Sequence, residues 1–593
     1  MNADRRMRRV LAEGSLATAA LAVALLGARA PAWAGFKPPS EEDLAGWPVA
    51  VKGHVPVKPG EHPRLLFRKT DLAGLKARAN TPEGKALIAR LRLQLDGAHG
   101  EMMTDKFGVK GPVSRDGAGE FDKAPLGYFT FSHAAGYGFL YLLTGNQKYA
   151  DLGREAMEKA FEGYRDRDQR YSFRAPYGAL RAGPSLGWTV LGYDLCYDGW
   201  DPAYRQQVAR AIQEYNEGAN MALEDLTRGK RQHPGSNHWG MQVGGAALAL
   251  LAIMNDPGVD MGKIGPLLKD SQISMIVNLT QGFGDGGFFA EGDGTGSMSS
   301  HIVFLPALQA WKVAAGKDFY NPRPNAQWAA LKWIFLTVPT GSKSDLRLDF
   351  PERGAYAHNI WGRGDLSGAG YFSMAFGLAP DDQKAALLWF YDRHLRAVDE
   401  KAKTPLDATT PYPHHTILAF VNWPLGLKPV DPDEAIPHAY RDTKWKFYAW
   451  RNRWQDENDV VISILTETSR GNYSAKAENA LTVCGMGKKM KWGTISGGFT
   501  GDYRPAADGS TVLATGDGSC LAIDFSGACG ADAMLVMTGP GAPADHAVEA
   551  GGTRFSFLFL AKGAPPAPKA QGPKVVVGGQ TVSFDGRRIV LGR

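Results

Sequence analysis

The sequence predicts an α+β multidomain chain: an α/α toroid, drawn as an incomplete barrel of helical hairpins, followed by an antiparallel β-sandwich. Three observations predict it. From about His62 to Val430, apolar residues recur at helical spacing in about a dozen segments. Beyond Tyr440 the pattern changes to short β-branched and aromatic runs separated by Gly, Asp and Pro. A length of 593 residues, 44% hydrophobic and 10% aromatic, gives more than one domain with ample core.

In order along the chain, residues 1–34 read as an export signal. Arg5, Arg6, Arg8 and Arg9 precede an apolar stretch from Leu16 to Leu26, and Ala32-Trp33-Ala34 supplies a small-x-small cleavage site. The stretch is too short to span a bilayer, so no stable membrane insertion is expected once the signal is removed. The arginine pairs leave a twin-arginine route open. The expected location is periplasmic or secreted. Without these residues the formal charge falls from +6 to +3, which provides no basic field for nucleic acid.

The toroid is assigned to residues 35–435. Its helical segments are Leu72 to Ala79, Gly84 to Leu95, Ala134 to Thr144, Tyr149 to Glu162, Ser185 to Cys196, Pro202 to Met221, Val243 to Met254, Ile264 to Leu279, His301 to Ala315, Asn325 to Leu336, Tyr371 to Phe376 and Gln383 to Asp392. Residues 436–593 form the sandwich, with strands around Val460 to Leu465, Leu481 to Val483, Thr511 to Leu513, Leu521 to Ile523, Ala533 to Met537, Phe555 to Phe559 and Lys574 to Val577. Lys562 to Pro573 reads as a linker to a last hairpin. Of the four cysteines only Cys520 and Cys529 are close enough to suggest a bridge, and none has zinc-ligand spacing.

The chain is organised around Gly235 to His301. Asn237, His238 and Trp239 stand at the start of the apolar run Val243 to Met254, where an amide, an imidazole and an indole need hydrogen-bond partners or a ligand. Asn237 as a helix cap and His238 as an interior histidine is the plainer reading. Seven glycines between Gly282 and Gly296 then carry Asp285, Glu291 and Asp293, a loop that brings backbone and carboxylates close to something.

Asn-His before an apolar helix, Asp-Gly-x-Phe-Phe-x-Glu-Gly from Asp285 to Gly292, and a Ser-Ser step at Ser299-Ser300 into another helix resemble the heparinase II/III-like polysaccharide lyases. His62-Pro63-Arg64-Leu65-Leu66-Phe67 with Asp71-Leu72, Leu191-Gly192-Tyr193-Asp194, and Trp450-Arg451-Asn452-Arg453-Trp454 are similar to further segments of that family. The resemblance spans roughly residues 60 to 500. It implies cleavage of a uronic-acid polysaccharide such as alginate, glucuronan or a glycosaminoglycan by β-elimination: removal of the C5 proton, expulsion of the C4 oxygen, and an unsaturated product. Such chemistry needs a partner for the carboxylate, a base, and an acid for the leaving oxygen. By resemblance Asn237 serves the carboxylate with His238 beside it, and Glu291 orients the other groups; the plainer reading of Glu291 is a carboxylate bound to the glycine loop's own amides.

The chain departs from the family twice. His301 stands where related members carry a tyrosine after the paired serines, and Tyr473 stands near where they carry a histidine. The expectation is that the two types have exchanged places, with His301 as base and Tyr473 as acid. A helix cap at His301 and a packed Tyr473 are equally weighted. Arg174, Tyr177, Trp239, Tyr356 and His358 are candidate substrate contacts, with Tyr171 and Trp361 near them. Arginine suits a carboxylate and flat aromatic faces suit sugar rings. No metal or other cofactor is expected, and the expected partner is an acidic polysaccharide. A glycoside hydrolase using Asp285, Glu291 or Asp293, and a non-catalytic glycan-binding relative, are the alternatives.

Overall fold

The computed structural model describes residues 39–113, 124–292, 295–339, 346–348, 370–467 and 477–592, with backbone only at 295–301 and 346–348. Among the described residues six helices form an inner ring: α1 (His133–Thr144), α2 (Ala179–Cys196), α3 (Asn237–Ile253), α4 (Thr295–Ala315), α5 (Tyr371–Phe376) and α6 (Pro413–Asn422). Each packs on the next, and α6 packs back on α1, so the ring of helical hairpins closes. Outer helices lie between them, among them Gln147–Phe161 against α1 and α2, Pro202–Gln213 against α2 and α3, and Pro82–Asp96 against α6 and α1.

Sequence decides which helices are inner. In α3 every residue from Trp239 to Ile253 is buried, as an all-apolar helix requires. The outer Gln147–Phe161 alternates buried Tyr149, Ala150, Gly153, Ala156, Met157 and Ala160 with charged residues. Close approach along the ring depends on glycine. Gly183 of α2 lies on Met241 and Gln242 of α3, and four residues on, Gly187 lies on Gly245 and Leu248. A Cβ at Gly183 or Gly245 would overlap the other helix's backbone. Since both helices advance in the same direction, they are parallel. Gly192 on Ala134 and Gly138 on Cys196 make α1 parallel to α2 in the same way. The N-termini of these helices therefore share one end of the ring.

The opposite end is fastened by a buried ionic cluster. His62 bridges Asp194 (Nδ1 to Oδ1, 2.7 Å) and Asp256 (Nε2 to Oδ2, 3.0 Å), and the Arg64 guanidinium donates to Asp256 at 2.5 Å. The Tyr193 hydroxyl donates to Asp256 at 2.7 Å, and the Arg64 and Leu65 amides donate to Asp194. Two of the motifs that resemble the lyases, His62 to Phe67 and Leu191 to Asp194, thus meet as an architectural clamp.

The last helix ends at Ala435, and from Ala439 the chain builds sheets. Ala439–Asp442, Phe447–Arg451, Val460–Leu465, Glu478–Gly485 and Lys488–Thr494 form a five-stranded antiparallel meander. A six-stranded sheet follows in the order Phe499–Thr500, Thr511–Thr515, Cys520–Asp524, Ala533–Thr538, Thr553–Leu560, Ala547–Ala550. Ile462, Ile464, Leu481 and Val483 of the first sheet pack against Leu521, Ile523, Leu535 and Met537 of the second. The second sheet's other face, Ala522, Val536, Phe555 and Phe557, packs on Val575, Val577, Val582 and Ile589 of a four-stranded sheet, Lys569–Gln571 to Ile589–Gly592. The first sheet's outer face, Phe447, Ala449, Val461 and Leu465, joins the toroid core. Val460–Leu465 and Ala533–Thr538 are covered on both faces, which explains why they read as continuous apolar runs.

Several expectations are corrected. The helix from Pro202 ends at Gln213, after which Asn216 pairs with Ala222 around a turn at Gly218. The stretch taken as a linker contains the strand Lys569–Gln571, so the C-terminus is a third sheet layer rather than one hairpin. Cys520 and Cys529 are not bridged; all four cysteines are free and buried. Helices Arg396–Ala402 and α6 were not expected: Pro413 reads as a breaker but occupies the first turn of α6, where its missing N–H costs no bond.

Candidate functional site

The shared N-terminal end of the ring holds Asn237 and His238 in the first turn of α3. Ser236 caps the helix, its hydroxyl oxygen accepting the His238 amide at 3.3 Å. The Asn237 backbone N–H donates to Glu291 Oε2 at 3.1 Å, and the Ser236 side chain also bonds that carboxyl. A carboxyl at a helix N-terminus suits the macrodipole. On a helix turning 100° per residue, with Trp239 outward on the outer helix Met261–Val277 and Gly245 towards α2, Asn237 is aimed at the ring axis and His238 towards α2.

Glu291 reaches this position through the glycine loop. The loop is a tight reversal in which Phe283 pairs with Phe289, the Gly284 amide donates to the Phe288 carbonyl at 2.8 Å, and the Ala290 amide donates to the Gly282 carbonyl at 2.9 Å. Gly287 has φ of 96° and backs onto Asn325 and Trp328, a position no larger residue fits. Its outer edge is tied to the first hairpin of the five-stranded sheet. Asp442 accepts the Gly286, Phe288 and Trp445 amides at 3.0, 3.1 and 2.8 Å. Asp285 accepts the Thr443 and Lys444 amides at 2.7 and 3.0 Å and the Thr443 hydroxyl.

Burial sets the protonation of these groups. Glu291, 4% exposed, is pushed up to about 7. His238 is pushed down to about 4, by burial first and then by the Arg181 guanidinium, so its imidazole is neutral near pH 7. Asp442 is raised to about 7 by burial and by the Asp285 charge, while hydrogen bonds from Thr443, Lys444 and Asp442 outweigh burial and hold Asp285 below its ordinary value.

The structure thus brings Asn237, His238 and Glu291 together. Arg174 lies on the loop before α2, paired with Glu217 at 2.7 Å and donating to the Phe161 carbonyl at 3.3 Å. Tyr177, on the same loop, is 39% exposed. Trp239 is corrected: it is fully buried, its indole N–H donates to the Ser274 carbonyl at 3.2 Å and its ring lies on Gly229, which leaves no face for a sugar. The backbone of His301 lies in α4 but its side chain is outside the described residues, as are Tyr473, Tyr356, His358 and Trp361. Asp285, a candidate acid in the hydrolase reading, is committed to the loop's anchorage.

Sequence reasoning missed Arg181. It starts the helix behind Pro184, at Ser185, whereas α2 begins at Ala179 and carries Pro184 inside it. The i, i+4 spacing from Tyr177 was the available signal. It also missed the ring's interior, where Trp188 stacks on His414 (ring centroids 4.0 Å apart) and the Tyr412 hydroxyl donates to the buried Asp166 at 3.0 Å. Among the described residues no group of three or more His, Cys, Asp or Glu side chains could hold a metal ion.

No family model matches the sequence, and no curated protein does. Among solved structures the chain is similar to heparinase III, with a TM-score of 0.39 and 12% identity over 85% of this chain and 78% of that one. It is also similar to a mutant of the heparan sulfate lyase HepC from Pedobacter heparinus, with a TM-score of 0.35 and 11% identity over 84% and 73%. The toroid-and-sheet architecture rests on this chain's own packing, not on these likenesses.

Proposed function

We propose that the chain is a polysaccharide lyase that cleaves a uronic-acid polymer by β-elimination. The observation that supports it is the fixing of Asn237 and a neutral His238 by Glu291 and Ser236 at the shared N-terminal end of the ring. In this reading the Asn237 side-chain amide, distinct from the backbone N–H held by Glu291, donates to the uronate carboxylate as charge builds up on C5, and the N-termini of α2 and α3 favour that anion. His238 contributes hydrogen bonding without a charge of its own. His301 removes the C5 proton, and Tyr473 gives a proton to the C4 oxygen as the C4–O bond breaks and the C4–C5 double bond forms.

The test is ultraviolet absorbance of the product on purified alginate, glucuronan and unsulfated glycosaminoglycans. Absorbance growing with chain cleavage is expected; new reducing ends without it would mean hydrolysis. On the polymer that is cut, His301→Ala and Tyr473→Phe should each lose roughly 100-fold to 10,000-fold in turnover with folding intact. Near-normal turnover in Tyr473→Phe would transfer the acid's role to another group. We also propose that the protein is exported and begins at or near Gly35; a secreted form retaining Met1 would overturn this.

A further inference from the structure

Arg181 stands in the first turn of α2, and the parallel packing of Gly183 on Met241 and Gly187 on Gly245 brings it level with the first turn of α3. It is close enough to His238 to hold that imidazole's pKa down. Its guanidinium lies over the Tyr171 ring, 5.2 Å from the centroid, and the ring itself is buried in the ring-end loop. Among the described residues the guanidinium has no carboxylate partner and no hydrogen bond, and its Nε is buried without an acceptor. The neighbouring arginines are not in this state: Arg174 is paired with Glu217, Arg170 with Asp168 at 2.7 Å, and Arg165 donates to the Gln169 carbonyl at 2.7 Å.

A half-buried cation without a counter-charge, held flat on an aromatic face and beside a neutral histidine, carries an unmet donor whose desolvation costs about 1–3 kcal/mol. An incoming anion relieves it, and a planar carboxylate matches the guanidinium's paired donors. We infer that Arg181 is a substrate-binding residue that takes the carboxylate of a uronate unit, so that the ring end selects acidic over neutral sugars. This rests on the proposed uronan reading, and it concerns binding rather than elimination. A residue at this place sets KM more than kcat, because the contact is made equally in the ground state and the transition state.

Sodium glucuronate is a suitable probe, since the free sugar has no glycosidic bond to eliminate; glucose is the neutral control. Ligand-observed NMR titration of the full chain should give saturable glucuronate binding, at least about tenfold weaker in Arg181→Gln and partly restored in Arg181→Lys, with no comparable binding of glucose. On wild-type protein, glucuronate and not glucose should slow modification of Arg181 by phenylglyoxal, mapped by peptide mass spectrometry, which needs no variant to fold. Equal glucuronate binding in wild type and Arg181→Gln, equal binding of glucose, or unprotected Arg181 would each overturn the inference. If binding behaves as expected while no polyuronate yields an absorbing product, the carboxylate site stands and the lyase reading fails.

Discussion

At the scale of single residues, burial sorts the conspicuous side chains into two groups. His62, Arg64, Asp194 and Asp256, with the Glu61 and Met254 carbonyls, satisfy one another at the far end of the ring and are architecture, although they are among the clearest motifs in the sequence. Glu291 is different, for its partners among the described residues are a backbone N–H and a hydroxyl, and burial leaves it half-protonated near pH 7. Its folded pKa is raised, so its stabilising contribution is complete below about pH 4 and lost as pH rises through about 7. Glu291→Gln keeps a carbonyl for the Asn237 amide and removes the titration. We expect an inflection near pH 7 in the wild-type kcat/KM profile that vanishes in Glu291→Gln; an inflection that persists assigns it to another group. Trp239 sits beside Asn237 and His238 but belongs to the core. Trp239→Phe should lower stability by about 1–3 kcal/mol through the lost indole hydrogen bond to the Ser274 carbonyl and lost packing, with KM unchanged. A raised KM at unchanged melting temperature would restore it as a sugar platform.

At the scale of elements, the glycine loop works because two carboxyls anchor it to the hairpin at Asp442. Asp442 is raised to about 7 and bonds Asp285, so below that pH the two share one proton, and above it two carboxylates face each other. Asp442 therefore stabilises the anchorage fully below about pH 4 and progressively less as pH rises through 7. Melting temperature should fall across pH 6 to 8, and Asp442→Asn should flatten that fall while costing stability at pH 6, where one amide donor loses its acceptor; an unchanged slope would place the titration elsewhere. Much of this scale was legible in sequence. The apolar run behind Asn237 announced α3, and continuous Val460–Leu465 announced a strand. Pro184, carried inside α2, and Pro413, in the first turn of α6, both hid helix starts because a tolerated proline and a proline breaking a helix look alike without the backbone. The Asp285–Asp442 tie was not legible, because the partners stand 157 positions apart in the chain and no local pattern records their contact.

At the scale of the whole molecule, the order of helices round the ring and the third sheet layer depend on which faces meet, and periodicity gives faces without partners. The joint between toroid and sheets shows what that hides. Arg451, at the end of Phe447–Arg451, is fully buried and donates to the Phe335 and Thr337 carbonyls at 2.7 and 2.8 Å, the last turn of the helix Pro324–Leu336, while its other arm holds Asp459 at 2.8 Å. A guanidinium at a helix C-terminus is favourable for the unpaired carbonyls and the dipole alike. Trp454 adds an indole N–H to the Ile334 carbonyl at 2.9 Å. Burial pulls Arg451 below its ordinary pKa and pushes Asp459 above its own, so each is costly without the other. Arg451→Met should therefore destabilise by about 3 kcal/mol, more than its lost bonds alone, because it leaves the buried Asp459 with only the Arg453 guanidinium, at 3.4 Å, to face it. Arg451→Met with Asp459→Asn should recover a substantial part of that loss. Calorimetry is the measurement: the wild type should unfold in one transition, since Phe447, Val461 and Trp454 share the toroid's core, and Arg451→Met should separate it into two. If Arg451→Met unfolds in one transition within about 1 kcal/mol of the wild type, the shared apolar core alone couples the two halves.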